Sequence, residues 1–133
     1  MGFMDQLRQL LVKQREEPQH TELIFVVLPE ALEPDERHMR YEEPIDGELQ
    51  LHGLGYVSGG GTQLGPENAD GSEDIEFCGV DVDTTDVPAA RELLRAYLPA
   101  IGCPAGTRLE YRENERSLMD EYDGSRWSTG KPR

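Results

Sequence analysis

A chain of 133 residues with 13 Lys plus Arg, 27 Asp plus Glu and a net charge of −14 has room for one domain around one core. Its 36% hydrophobic and 30% charged residues describe a globular rather than a disordered chain, and the acid excess argues against nucleic acid and against an anionic membrane surface as partners. The longest apolar run, Leu23 to Leu28, falls far short of the ~18 residues of a membrane span. No basic n-region or apolar h-region opens the chain, so the expected compartment is the cytoplasm. Cys78 and Cys103 lack zinc spacing and read as a pair of buried, reduced thiols.

In chain order, Phe3, Leu7, Leu10 and Leu11 recur at helical spacing and predict an amphipathic helix over residues 3–15. Glu22 to Leu28 is apolar on both alternating sets, the pattern of a central strand covered on both faces. Pro29 to His38 reads as a polar connection. Residues 43–53 admit two readings. Pro44 near a start, Ile45, Leu49 and His52 on one stripe and Gly53 as a stop favour a short helix, while Asp46-Gly47 could instead turn a hairpin.

Tyr56 to Leu64 follows as a glycine-loosened strand, Gly65 to Gly71 as a long turn, and Glu73 to Asp83 as a strand whose apolar phase changes near Gly79, as a β-bulge would produce. Val87 to about Leu98 carries Ala90, Leu93, Leu94, Tyr97 and Leu98 on one stripe, with Asp86 as N-cap and Pro99 near the end. A strand over Thr107 to Arg112 turns Leu109 and Tyr111 inward. Leu118, Met119, Tyr122 and Trp127 could dock a C-terminal segment whose end, Ser128 to Arg133, reads as frayed.

These elements predict a single α+β domain over 1–133: an N-terminal helix (1–17), a ferredoxin-like β-α-β-β-α-β plait (22–112) and a C-terminal segment (113–133). Because Leu23 to Leu28 is apolar on both sides, the second sheet face needs a cover. The stripe of Phe3, Leu7, Leu10 and Leu11 is the expected one, with a second subunit as the alternative, so both monomer and homodimer stay open.

Charge is segregated along the chain. Residues 1–40 carry −3 and residues 91–133 carry +1, while residues 41–90 hold twelve acids and no Lys or Arg. A salt-adapted protein would spread its acids over the whole surface, so a localised acidic surface is the better reading.

Two motifs invite chemistry. Asp81-Val82-Asp83-Thr84-Thr85 matches D-x-D-x-T and resembles the nucleophile motif of haloacid-dehalogenase-type phosphatases. That resemblance implies a small Mg-dependent hydrolase with Asp81 as nucleophile, Asp83 as acid/base and Thr85 completing the motif. Such chemistry also needs a cation at the phosphoryl group, for which Arg91 and Arg95 are the candidates, and further acids for magnesium. The plainer reading places Asp81 and Asp83 on the solvent side of a strand. In the second motif, Gly59-Gly60-Gly61, no Walker lysine or helix pattern follows. The glycines read as a bulged edge strand or a close approach of another backbone, with a peptide docking place as a further possibility.

The stretch Gly53-Leu54-Gly55-Tyr56-Val57-Ser58-Gly59-Gly60-Gly61-Thr62, with the later Ile75-Glu76-Phe77-Cys78 strand and the Leu93-Leu94-Arg95 helix ending in Gly102-Cys103-Pro104-Ala105-Gly106-Thr107, is similar to small bacterial proteins of uncharacterised function. The similarity covers roughly residues 41–111 and transfers no functional residues. His20, His38 and His52 lack ligand spacing, and no metal or cofactor is expected.

The sequence thus points to a non-catalytic module offering an acidic face (Glu42, Glu43, Asp46, Glu73, Asp74, Glu76, Asp81 and Asp83) to a basic protein, as immunity proteins or acidic regulators do. The small hydrolase using Asp81 and Asp83 is the rival. A dimeric plait sensing a small molecule is the third reading.

Overall fold

The computed structural model describes residues 20–133. The expected helix over 3–15, and with it the cover by Phe3, Leu7, Leu10 and Leu11, lies outside the described residues.

Strand β1 (Glu22–Leu28) leads into a helical segment in three pieces: α1 (Pro34–Arg37), a π-helical turn (His38–Glu42) and α2 (Glu43–Leu51). Strands β2 (Gly55–Glu67) and β3 (Glu73–Thr84) form a long hairpin. Helix α3 (Val87–Ala100), β4 (Arg108–Glu113), β5 (Arg116–Tyr122) and β6 (Trp127–Pro132) complete the chain. The six strands form one sheet in the order β2-β3-β1-β4-β5-β6, and every neighbouring pair is antiparallel.

The four-stranded ferredoxin-like plait is therefore corrected to a six-stranded antiparallel sheet, and the described residues are mostly β, about 45% strand against 28% helix. The residues expected to dock and fray after β4 instead fold back twice. The β4–β5 turn puts Asn114 at φ 50° and Glu115 at φ 65°, the left-handed pair that a two-residue hairpin turn requires. At the β5–β6 turn the Asp123 carboxylate accepts the N–H groups of Ser125 (2.8 Å) and Arg126 (2.7 Å), while Gly124 takes φ 98°. Tyr122 and Trp127 then stack across the last pair, with ring centroids 5.1 Å apart.

The core lies between one sheet face and the helices. Ile24, Val26 and Leu28 of β1, Cys78, Val80 and Val82 of β3 and Leu109 of β4 point toward Tyr41, Ile45 and Leu49 on one side and Ala90, Leu94 and Leu98 on the other. Burying each large apolar side chain contributes about 1.5–3 kcal/mol. No described element packs on the second face, where Leu23 stays 44% and Phe25 41% exposed. They edge a cavity of about 480 Å³ with Thr21, Glu110, Arg112 and Arg133.

Several local readings resolve. Residues 43–51 are helical, so the Asp46-Gly47 hairpin alternative falls. Pro44 sits in the first turn and Ile45 and Leu49 are buried. The helical segment starts at Pro34, inside the stretch expected to be a connection, because a proline with Asp35 and Glu36 behind it suits a helix start. Asp86 caps α3 by accepting the Ala89 N–H at 3.1 Å, and Pro99 sits in the last turn.

The expected bulge at Gly79 does not occur. β3 pairs with β1 without interruption from Thr84 to Cys78, while against β2 the register shifts leave an extra residue in β2 at Ser58, in β3 at Glu76 and again in β2 between Leu64 and Glu67. The apparent phase change had another cause. Phe77 lies on the second face with Gly79 and Asp81, and the extra residue Glu76 breaks the alternation before it reaches Ile75, where the hairpin runs past the end of β1.

Candidate acidic binding surface

β1 matches β3 only as far as the Leu28↔Cys78 pair, so the hairpin beyond it is a two-stranded ribbon with no third strand among the described residues. Its closing turn is fixed locally. Asn68 donates its N–H to the Ser72 carbonyl at 2.6 Å, and Asp70 accepts both the N–H (3.0 Å) and the hydroxyl (2.5 Å) of Ser72. Those two bonds hold the Asp70 carboxyl below the usual range. Glu67, Asp70, Glu73, Asp74 and Glu76 are all exposed on this ribbon, and none forms an ion pair among the described residues.

The eight acids expected to share one face occupy three places. Glu73, Asp74 and Glu76 stand on the ribbon. Asp81 and Asp83 lie on the second face, opposite Phe25 and Leu23 of β1, and Asp83 accepts the Thr21 hydroxyl at 3.1 Å. Glu42, Glu43 and Asp46 project from the helical segment beside β2, where they line a cavity of about 310 Å³ with His38, Val57, Ser58 and Gly59.

Within that third group, Glu42 is engaged by Arg37 (3.1 Å) and His38 (3.0 Å). Asp46 accepts the Val57 N–H at 2.9 Å and a bond from Gln50 at 2.6 Å, and Glu43 is exposed. The triple glycine serves this arrangement. A Cβ on Gly60 would collide with Glu42 Oε1, fall 2.9 Å from the Gly79 carbonyl oxygen and lie 3.1 Å from Arg37 Nε. The close approach at Gly60 comes both from the Arg37–Glu42 pair and from the backbone of the neighbouring strand at Gly79.

Asp81 and Asp83 do share a face, as residues two apart on a strand must. The cations proposed to assist them are elsewhere. Arg91 bonds Asp120 through both Nε (2.9 Å) and Nη2 (2.8 Å), and Arg95 reaches the same carboxylate at 2.9 Å. Asp120 pairs with Leu109, which pairs with Val26, so this cluster sits on the core side of the sheet. Thr85 lies in the turn into α3 and donates its N–H to the Leu54 carbonyl. Among the described residues no group of three or more His, Cys, Asp or Glu is placed to hold a metal ion.

The Asp120 cluster is the polar centre that sequence reasoning missed. Its carboxylate is fully buried and also accepts the Tyr111 hydroxyl and the Gly130 N–H, each at 2.9 Å. Burial alone would raise its pKa. The hydrogen bonds from Arg91, Gly130, Tyr111 and Arg95 outweigh burial and hold the carboxyl below its ordinary range. Burial and the bond to Asp120 push Tyr111 up to about 12. The available signal was Arg91 and Arg95 at i, i+4 beside the apolar stripe of α3, two cations that need an acid across the interface.

Comparison with family models, with curated proteins and with solved structures finds no match. No helix among the described residues is long and apolar enough to cross a membrane.

Proposed function

We propose that this protein is a non-catalytic binding module that presents acidic surface to a basic protein. The observation that carries this reading is the ribbon. It projects past the sheet with Glu67, Asp70, Glu73, Asp74 and Glu76, holds no Lys or Arg, and leaves those acids without ion pairs among the described residues. A concentration of like charge at a protrusion destabilises the chain's own fold slightly. It also steers an oppositely charged partner, raising association rates in low salt.

The commitment of Arg91 and Arg95 to Asp120 supports the binding reading over the hydrolase, because it leaves Asp81 and Asp83 without those cations. The test is capture from bacterial lysate by the immobilised full chain and by a variant with Glu67→Gln, Asp70→Asn, Glu73→Gln, Asp74→Asn and Glu76→Gln. The wild type should retain basic proteins at low salt and release them near 1 M salt, where the Debye length falls to about 3 Å. The variant should retain far less. Captured proteins that are not basic, or equal capture by both forms, would overturn the proposal.

A further inference from the structure

β2 stands at the edge of the sheet, and no described strand pairs with its outer side. Edge strands normally carry a lysine, a proline or a bulge that discourages a further strand. In β2 those devices are confined to the two ends. The Asp46 carboxylate takes the Val57 N–H, a register shift follows Val57, and further shifts and Pro66 come after Gln63.

Between them, Gly59 to Gln63 pairs in unbroken register with Asp81 to Phe77. These five residues, Gly-Gly-Gly-Thr-Gln, hold no charge and no proline, and their length is close to that of an ordinary strand, about 5–6 residues. Gly61 has open space where a side chain would stand.

Acids flank this stretch on both faces. Asp81 lies toward the second face, its Oδ2 3.5 Å from where a Gly59 side chain would begin. On the helix side the cavity holds the exposed Glu43 and Asp46, which already accepts bonds from Val57 and Gln50, while Glu42 beside them is paired with Arg37 and His38. Successive side chains of an added strand point to opposite faces, so a basic residue at either parity would meet carboxylates. Self-pairing is the wrong match: two copies joined here would bring two segments of −12 together.

We infer that the Gly59–Gln63 edge of β2 is a docking site for an extended, lysine- or arginine-bearing segment of another protein, which adds to the sheet as a seventh strand. This rests on the basic-partner reading above and gives it a binding mode. Backbone hydrogen bonds supply the register, and the acids on both faces select charge.

The test uses the full chain and two capped nine-residue peptides of alternating lysine and threonine, one carrying N-methyl groups on alternate backbone amides. Methylation preserves the charge and removes strand pairing. The unmodified peptide should bind more tightly by about tenfold or more, the loss of two or more net hydrogen bonds. It should also slow hydrogen exchange at amides within Gly59–Gln63. Equal affinity of the two peptides, with no added protection in β2, would show attraction by charge alone; the edge site would then fall while the acidic module stands. If neither peptide binds at low salt, both the edge site and the basic-partner reading are overturned.

Discussion

Arg91 on α3 and Asp120 on β5, 29 residues apart, meet in a two-bond pair at 2.8 and 2.9 Å, with the guanidinium carbon also 4.0 Å from the centre of the Tyr111 ring. This fork clamps the helix onto the added half of the sheet. The Gly130 N–H reaches the same carboxylate, so β6 is tied in as well. Asp120→Asn should leave two arginines near the core without their counter-charge. Removing one member of a buried pair destabilises by about 3–5 kcal/mol, and urea unfolding of the variant should show a loss of that order.

The same carboxylate sets an acid limit. Its folded-state pKa is depressed, so its share of stability is complete above the unfolded value, near the ordinary 3.8 of an aspartate, and is lost as pH falls through the lower folded value. The stability difference between wild type and Asp120→Asn should be flat from neutral pH to about pH 5 and shrink progressively below it. Denaturant melts at stepped pH read this directly. A difference that grew on acidification would contradict the assignment.

Both cysteines are buried, and burial pushes both thiols above their ordinary pKa. A buried thiol reacts only when the structure opens. Labelling of Cys78 and Cys103 by a thiol reagent should therefore be slow at neutral pH and should accelerate with denaturant in step with unfolding. Rapid labelling of either under native conditions would mean that its cover opens locally.

The elements that were legible in the sequence are those whose apolar pattern answers to the core. β1 as a strand and α2 and α3 as helices are legible because Ile24, Val26 and Leu28, Ile45 and Leu49, and Ala90, Leu94 and Leu98 all face one interior, whereas the cover expected on the second face of β1 is not among the described elements. The C-terminal strands were opaque for a physical reason. Their pattern is broken by an inward-facing charge, Asp120, that no hydrophobic count would place inside, and β6 reads Trp-Ser-Thr-Gly-Lys-Pro, with little to bury. The turn-forming residues Asn114 and Asp123-Gly124 stand between these strands in the sequence, but the strand pattern on either side of them is weak. The acidic segment was legible as composition, but its division among ribbon, second face and helix side depends on where β1 ends and where the π-helical turn aims Glu42. Neither leaves a mark in local sequence.

Gly60 and Gly61, neighbours in the glycine run, should respond very differently to a single methyl group. At Gly60 an added Cβ would meet Glu42 Oε1 and also the Gly79 carbonyl oxygen at 2.9 Å, and the second neighbour is backbone that cannot swing aside. Gly60→Ala should be destabilising by about 1–3 kcal/mol, the range for overpacking, and it should loosen the Arg37–Glu42 pair. At Gly61 nothing lies within 4 Å and the backbone is not left-handed, so Gly61→Ala should be neutral or stabilising by up to about 1 kcal/mol through the unfolded chain. Thermal melts of the two variants side by side decide the matter. Equal melting temperatures would mean that the glycine run is a flexible tract rather than a strand shaped at Gly60 to admit the Glu42 carboxylate.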